Sequence, residues 1–349
     1  MRITKKSEVS RKEEIKIRAL SILFALITSG LFILILSHNP FEVFAGMADG
    51  ALGSTHRLKS TIIKAIPLVI TSLGVSVAFK MKFWNIGGEG QILMGAYLAT
   101  VVYRVFPDLS RPIMLLLMVI AAMIGGGLWA LIPAFFRAKW RTNETIITLM
   151  MNYIALKWIT YLQYSAWKDP DAMGFAKIAP YGDNAILPKL FGIHIGWVIT
   201  LVLIMIMYFF MNYSKMGYEI AVLGESENTA NYAGINVPKT IITAVFISGA
   251  LCGVTGFVQA TGVSGNLSVQ LTAGVGFTAI ITSWLSNLKV PVILVVSFLF
   301  AALVQGASYI QIAFGIPDAA STILQSLILF FVLGSEFFIR YKISFKKNK

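Results

Sequence analysis

Charge and cysteine are both scarce in this 349-residue chain. Asp, Glu, Lys and Arg together make up 13% of the sequence, whereas 57% is hydrophobic, and a soluble domain needs a far more charged surface. Cys252 is the single cysteine and lies in an apolar run, which excludes an internal disulfide and a thiolate metal site. The chain is therefore predicted to be a polytopic membrane protein.

The residues that common catalytic sites need are also missing. The histidines His38, His56 and His194 show no metal-ligand spacing. Residues 262–265 spell the G-x-S-G of rhomboid intramembrane proteases, but that serine needs a histidine from a later membrane helix, and none follows His194. No G-x-x-x-x-G-K-[ST] loop is present, so the chain cannot hydrolyse ATP by a P-loop of its own. We predict no enzymatic activity, no catalytic residue and no metal site.

The net charge of +13 comes from short basic runs between apolar stretches. Nucleic-acid binding is the alternative explanation of such an excess, but basic residues arranged in this way are typical orientation signals of membrane segments. We therefore predict that the chain is surrounded by a lipid bilayer and binds no nucleic acid.

Ten apolar stretches fit membrane spans. They are 19–37, 61–79, 83–106, 113–136, 145–163, 197–213, 240–262, 263–287, 289–312 and 319–338. A signal peptide is the alternative for the first stretch, but its long basic and apolar parts favour an uncleaved anchor. The polar run at 13–17 predicts a short surface helix before it, and 38–60 reads as a polar connection.

The orientation of these spans follows from their flanking charges. With the N-terminus inside, most of the 29 Lys and Arg residues fall on the inner side. This predicts a basic cytoplasmic N-terminus at 1–18, a transmembrane domain at 19–338 and a basic cytoplasmic tail at 339–349. Within the domain, 165–196 becomes an external loop and 214–240 a cytoplasmic segment that contains a short helix.

Two spans are interrupted by glycine and polar residues where they begin. Asn85, Glu89 and Gln91 are unfavourable in hydrocarbon unless they face protein or a water-filled path, and the neighbouring glycines let backbone groups leave the helix. The glycines predicted to break the two helices are Gly87, Gly88, Gly90, Gly274 and Gly276.

The interrupted spans are the third and the eighth, and they run in opposite directions. Spans two to five and seven to ten therefore predict an all-α membrane fold with about ten helices in two inverted repeats and a solute path at the repeat interface. The predicted path residues are Asn85, Glu89, Gln91, Phe277 and Trp284. Two alternatives stay open: Glu89 bonds freed backbone donors of its own broken helix near the inner membrane boundary, and amides such as Asn152 join neighbouring helices.

Three stretches resemble the permeases of ABC importers for nucleosides and simple sugars, relatives of the ribose and branched-chain amino acid permeases. Asn85–Gln91 resembles N-I-G-x-E-G-Q, and Thr142–Tyr153 is similar to a second stretch of that family. Gly224–Ile235 is similar to G-E-N-x-x-A-A-x-Y-A-G-I, although Ser226 stands where Asn is usual and Thr229 where Ala is usual. The resemblance extends over roughly residues 60–335.

The resemblance implies a subunit of an importer in the bacterial cell membrane, with nucleosides as the most common substrate. The implied partners are a second, related permease that forms a heterodimer, an ABC ATPase and an external substrate-binding lipoprotein of the basic membrane protein type. ATP and Mg would bind the ATPase, so no cofactor is expected in this chain. The short cytoplasmic helix would dock in a cleft of the ATPase, and the implied coupling residues are Gly224, Glu225, Glu227, Asn228, Ala230, Ala233 and Gly234.

Other functions are weighed against this one. A permease for ribose or another simple sugar differs only in its solute. A secondary transporter driven by protons would use Glu89 as its titrating group. A purely structural membrane scaffold is disfavoured because it has no use for broken helices.

Overall fold

The computed structural model describes residues 2–5 and 10–344, and this part of the chain is almost entirely helical. The α-helices are α1 (Arg11–Ile35), α2 (Pro40–Leu52), α3 (Thr55–Lys80), α4 (Gly88–Val105), α5 (Arg111–Trp140), α6 (Glu144–Tyr164), α7 (Gly196–Tyr213), α8 (Lys215–Glu225), α9 (Glu227–Tyr232), α10 (Val237–Gln259), α11 (Val275–Leu285), α12 (Val290–Ala313) and α13 (Asp318–Arg340). A π-type turn at Ala260–Ser264 prolongs α10, and 3₁₀ turns occupy Asp183–Ala185 and Val269–Thr272.

Four short strands complete the described structure. Strand β1 (Arg2–Lys5) pairs antiparallel with β4 (Tyr341–Ser344). Strand β2 (Lys189–Leu190) pairs antiparallel with β3 (Ile193–His194).

Eight helices of the described chain are long and apolar enough to cross a bilayer: α1, α3, α5, α6, α7, α10, α12 and α13. They coincide with eight of the predicted spans, and the all-α polytopic fold is confirmed. The remaining two predicted spans are the glycine-broken ones. Helix α11 has 11 residues and is about 16 Å long, roughly half the thickness of a bilayer core. The inverted-repeat relation between the two halves stays a prediction.

The N-terminal region differs from the prediction in one respect. The predicted short helix at 13–17 is the first part of the continuous helix α1. The connection 38–60 contains α2 and the start of α3. Helix α2 forms because Asn39 accepts a hydrogen bond from Phe41 N–H at 3.0 Å, and Pro40 occupies the first helical position.

The chain divides into two compact units. One combines the described residues up to Thr61 with those from Leu299 onwards. Its apolar core includes Ile33, Val43 and Leu324. None of the predicted site residues belongs to this unit.

The second unit, Ile62–Phe298, is built around α4, α5 and α10. These helices approach each other at glycines: a Cβ atom at Gly126 would lie 2.7 Å from Gly253 N, and one at Gly95 would lie 2.7 Å from Gly253 O. No real side chain tolerates such distances, so only glycine allows these backbones to pack together. Segment 81–87, which contains the predicted site residue Asn85, directly precedes α4 of this three-helix core.

Candidate functional site

The segment 81–87, between α3 and α4, leaves the helical path and is held by two buried amide side chains. Asn85 Oδ1 accepts hydrogen bonds from Gly87 N–H (3.0 Å) and Gln91 Nε2 (2.9 Å). Asn85 Nδ2 donates to Gln91 Oε1 (3.1 Å) and to Ser248 Oγ of α10 (3.1 Å). The amides thus connect the interrupted segment to the core, which allows polar backbone to exist away from water.

Helix α6 holds the same segment from another side. Asn152 Oδ1 accepts from Gly90 N–H at 2.8 Å, and its Nδ2 donates to the Ile86 carbonyl at 2.9 Å. Thr148 Oγ1 accepts from Ile86 N–H at 3.3 Å. The prediction that Asn152 joins helices is therefore confirmed.

Glu89 connects the two interrupted helices directly. Its Oε1 accepts a hydrogen bond from Gly276 N–H at 2.7 Å, and its carboxylate also interacts with the Thr272 side chain and Phe277 N–H. Gly276 and Phe277 lie in the first turn of α11, where N–H groups lack helical partners and a negative charge is favourable. Glu89 thus accepts hydrogen bonds from backbone donors of α11. The alternative stated from the sequence, in which Glu89 bonds donors of its own helix, differs from this arrangement.

Backbone also meets backbone at this point. A Cβ atom at Gly276 would lie 2.5 Å from Glu89 N and 2.9 Å from Gly88 C. Gly274, which precedes α11, has φ +77°, a conformation that glycine adopts without strain. The N-termini of α4 and α11 therefore meet at a seam formed by Gly88, Glu89 and Gly276, and we call this contact the helix seam.

The neighbouring helix α10 indicates the depth of the seam. Asn85 bonds Ser248, which lies about 16 Å along α10 from Val237. The apolar span that contains α10 runs over 28 residues, Val237–Ser264, so Ser248 lies well inside it. Asn85 therefore lies beside the interior of this apolar span, because segment 81–87 leads inward along α10 before α4 begins. The alternative that Glu89 lies near the inner membrane boundary stays a prediction.

The two predicted aromatic path residues share one face of α11. Phe277 and Trp284 are two turns apart, about 10 Å, and Phe277 is 46% exposed. Trp284 is half-buried and stacks on Trp84, with ring centroids 5.3 Å apart and ring planes at 27°. Phe79 contacts both tryptophans, at centroid distances of 5.3 and 5.9 Å. The aromatic side chains thus form a cluster of their own, separate from the buried amides.

The predicted coupling segment contains two helices in the structure. Helix α8 ends at Glu225, and Ser226 caps α9 by accepting a hydrogen bond from Thr229 N–H at 3.3 Å. Gly234, with φ +73°, follows the end of α9. The expectation of one short helix is therefore corrected to a helix pair. Of the implied coupling residues, Glu225, Glu227, Asn228, Ala233 and Gly234 are exposed, whereas Gly224 and Ala230 are buried.

A cleft of about 410 Å³ lies beside this helix pair, lined by the ends of α3, α5 and α8 and the start of α10. Arg141 Nη2 contacts Glu227 Oε1 at 3.0 Å, and Lys82 Nζ donates to the Glu225 carbonyl at 3.2 Å. Gly224 packs so closely on the Lys80 carbonyl that no side chain would fit. The helix pair is thus in contact with the residues that lead into segment 81–87.

Comparisons with known proteins decide the family. The sequence profile of the branched-chain amino acid transport system permease component matches residues 57–333. The chain belongs to this permease family. The resemblance seen in the three sequence stretches is thereby confirmed, and so is the prediction that the chain is a transport component and not an enzyme. The permease is a multi-pass membrane subunit of an ABC transporter.

Individual relatives resemble the permease over nearly its whole length. It is 30% identical to the guanosine ABC transporter permease protein NupP of Bacillus subtilis, over 98% of this chain and 99% of that protein. It is 28% identical to the nucleoside ABC transporter permease protein NupB of Lactococcus lactis, over 93% and 92%. It is 30% identical to the glucose ABC transporter permease protein TsgB13 of Haloferax volcanii, over 93% and 88%.

The loop 165–196 of the permease is fixed to several helix ends. Thr100 Oγ1 and Tyr181 Oη lie 2.7 Å apart, Asn184 Nδ2 donates to the Pro107 carbonyl at 2.7 Å, and Arg111 donates to the Ile186 carbonyl at 2.6 Å. Its two strands form a hairpin whose turn residues, Phe191 and Gly192, both have positive φ. The loop is therefore an ordered cap on this end of the unit.

His194, which lies in the predicted external loop 165–196, is buried in this cap. Its side chain packs against Gly196 and Gly262 and is 2% exposed. Neither ring nitrogen has a hydrogen-bond partner among the described residues. Burial, together with the charge of Lys189, lowers the pKa of His194 to about 4, so the ring is neutral at physiological pH.

Sequence reasoning missed several residues of the site. Trp84 and Ser248 were not singled out, although Trp84 directly precedes the polar interruption and Ser248 lies beside the small residue Gly249. A helix interior with small and hydroxyl residues is a common signal of close polar packing. The partner of each residue could not be deduced, because pairing depends on the arrangement of the helices.

Proposed function

We propose that this permease is the membrane-spanning subunit of a bacterial importer that moves nucleosides into the cell. The observation that carries the proposal is the helix seam, where Glu89 joins the N-termini of two interrupted helices. Interrupted helices at membrane depth are typical of solute paths. Nucleosides are the proposed substrate because of the near full-length similarity to NupP and NupB.

The path would run beside the helix seam and along the exposed face of α11. Asn85, Gln91 and Glu89 are buried, and their hydrogen bonds join the start of α4 to α10 and α11, so their proposed role is to hold the wall of the path in shape. Phe277 and Trp284 offer ring surface to the solute, which suits the flat base of a nucleoside.

Coupling to ATP would pass through the helix pair α8–α9. Tyr232, on α9, is 94% exposed and is available to an ATPase. The contacts of Lys82 with Glu225 and of Gly224 with Lys80 connect this pair to segment 81–87. A displacement of α9 on ATP binding would therefore reach the helix seam through a short series of direct contacts. ATP and Mg would be held by the ATPase and not by this chain.

The proposed assembly includes a second, related permease. The chain is also 29% identical, over 63% of its length, to NupQ, a further guanosine permease protein of Bacillus subtilis. Similarity to two permeases for one solute in one organism supports a heterodimer. An external substrate-binding lipoprotein would dock on the ordered cap 165–196. Both termini and the helix pair α8–α9 would then face the cytoplasm, with the chain in the bacterial cell membrane.

An importer of a simple sugar is the second candidate, and the similarity to the glucose permease TsgB13 favours it. A proton-driven transporter is disfavoured, because it would use Glu89 as its titrating group, and the Glu89 side chain instead accepts a hydrogen bond from the first turn of α11.

Uptake by cells that carry this permease with the neighbouring genes of its own genome tests the function. We expect uptake of radiolabelled guanosine that excess unlabelled adenosine reduces and excess ribose or glucose does not. Uptake should stop when the catalytic glutamate of the ATPase is replaced and should survive an uncoupler. Uptake of ribose or glucose without guanosine would favour the sugar importer, and uptake abolished by the uncoupler alone would exclude the ABC mechanism.

A further inference from the structure

We infer that Trp84, together with Trp284, forms an aromatic gate that stacks the base of the solute and selects nucleosides over free sugars. The inference rests on the proposed function and adds to it a specificity-determining residue, Trp84, and a chemical basis for the choice of substrate.

The two rings come from the two interrupted segments of the membrane domain. Trp84 lies in segment 81–87, and Trp284 lies in the last turn of α11. Their centroids are 5.3 Å apart at 27°, an offset stack that aromatic rings favour. Helix α4, which directly follows segment 81–87, also meets α11 at the helix seam, through Glu89 and Gly276. The chain from Trp84 to Glu89 is thus joined to α11 once by ring stacking and once by a hydrogen bond.

The stacked pair is accessible from one side. Trp84 is 42% exposed, although the residues on either side of it in the chain, Phe83 and Asn85, are buried. Phe277 is exposed on the same face of α11 as Trp284. The exposed face of α11 therefore carries the ring of Phe277 beside the helix seam and, two turns further along, the ring of Trp284, which stacks on Trp84.

An ordinary interfacial tryptophan is the alternative explanation of Trp84. Such residues project singly from continuous helices to the level of the lipid headgroups. Trp84 instead projects from a non-helical segment and packs against two other aromatic rings, Trp284 and Phe79. Non-helical backbone is not exposed to lipid in a bilayer. The backbone of this segment therefore faces protein or the path, and the aromatic gate places the exposed ring of Trp84 on the path.

The chemistry of the surface favours a flat aromatic solute. A nucleobase has two π faces that stack on indole whatever the base, whereas ribose and glucose have no π face and offer only C–H groups to a ring. When the Trp84–Trp284 pair opens, one ring contact is lost, and a base that enters replaces it with a contact of the same kind. A sugar replaces it with a weaker contact, so the gate would favour a nucleoside over a free sugar.

Uptake by the complete importer with variants at this position tests the gate. We expect Trp84→Leu to raise the KM for guanosine about tenfold or more, since base stacking on an aromatic residue contributes strongly to binding. Trp84→Phe, which keeps a ring face, should change it less than threefold. The matched control is Trp158→Leu, because Trp158 is also 42% exposed but lies on the continuous helix α6, and it should leave the KM unchanged.

Thiol labelling of the purified importer in nanodiscs gives a readout that does not depend on turnover. Ile281 lies between Phe277 and Trp284 on α11, and the native Cys252 is fully buried. Saturating guanosine should slow maleimide labelling of Ile281→Cys at least fivefold, whereas equal ribose should not, and Trp84→Leu should remove the protection.

The outcomes are separable. If the unaltered importer does not transport guanosine, the proposed function fails. If it does transport guanosine, but Trp84→Leu and Trp158→Leu have equal effects on the KM, or guanosine and ribose protect Ile281→Cys equally, the aromatic gate is wrong and the proposed function stands.

Discussion

Glu89 Oε1 accepts a hydrogen bond from Gly276 N–H at 2.7 Å, which joins two helices that are far apart in the sequence. Each helix alone would leave unsatisfied backbone donors inside the membrane domain. The carboxylate satisfies donors of α11 while its own backbone belongs to the first turn of α4. One side chain thus allows both interrupted helices to begin at the same place.

Replacement of Glu89 should affect stability and transport together. Glu89→Ala removes the acceptor of Gly276 N–H and should reduce the free energy of unfolding by about 1–3 kcal/mol. Glu89→Gln keeps an acceptor for Gly276 N–H, so a smaller reduction, of less than about 1 kcal/mol, is expected. Thermal unfolding in detergent measures both. Glu42→Gln, an exposed first-turn residue of α2, is the control and should have little effect. Equal stability of Glu89→Ala and the unaltered protein would contradict the capping role.

Gly276→Ala should damage the helix seam through sterics alone. The added Cβ atom would lie 2.5 Å from Glu89 N, so the two helix starts would have to separate. Overpacking of this kind destabilises proteins by about 1–3 kcal/mol, and uptake should fall with it. Gly334→Ala on α13 is the control, because no atom lies within 4 Å of the added Cβ there. If Gly276→Ala has the unfolding temperature and uptake of the unaltered protein, the close contact at the helix seam contributes neither to stability nor to transport.

Tyr232→Ala should reduce the coupling of transport to ATP hydrolysis without reducing the stability of the fold. The side chain is 94% exposed, so its removal should change the unfolding free energy by less than about 0.5 kcal/mol. If α9 docks on the ATPase, uptake and stimulated ATP hydrolysis should still fall severalfold, because the contact surface is lost. Tyr213→Ala, at the exposed end of α7, should leave both rates unchanged. Normal uptake in Tyr232→Ala would argue that this residue lies outside the ATPase contact.

His194 should make stability dependent on pH. Its pKa is lowered to about 4 in the folded protein by burial and by Lys189, whereas an unfolded histidine titrates near 6.5. Between these values the unfolded chain binds more protons, so stability should fall as the pH falls from about 7 to about 4, by up to about 3 kcal/mol. Unfolding temperatures over this range, compared between the unaltered protein and His194→Leu, measure this contribution. His56→Gln, at an exposed position, should leave the pH profile unchanged, and an equally steep profile in His194→Leu would assign it to other groups.

The sequence predicted most of the fold because membrane spans are local features. Long apolar runs identify helices such as α5 and α12 without knowledge of their neighbours. The interruption at Asn85–Gln91 was also visible, because polar residues and glycines stand out in an apolar chain. The position of Asn85 beside the interior of α10 was not visible in the sequence, because it depends on where Ser248 of α10 lies when the helices pack.

The site was harder to predict for the same reason. Glu89, Gly276 and Trp284 were recognised individually, yet neither the bond between Glu89 and Gly276 nor the stack of Trp284 on Trp84 follows from the pattern. His194 illustrates the limit most clearly. A histidine in a polar loop gives no sign of burial, and only the packing of the loop against Gly262 encloses it.

The glycine contacts among α4, α5 and α10 restrict how the protein moves. Where backbones touch at Gly126 and Gly253, one helix cannot slide past another without a collision. Shear between these helices is therefore unavailable, and the core acts as a rigid frame. Motion is then concentrated in segments 81–87 and 265–274, which contain no α-helix, flank the frame and lead into α4 and α11. The permease thus resembles a fixed block with two hinges, and substitutions of hinge residues other than Trp84, whose ring is proposed to stack on the solute, should change the rate of opening more than the affinity for the solute.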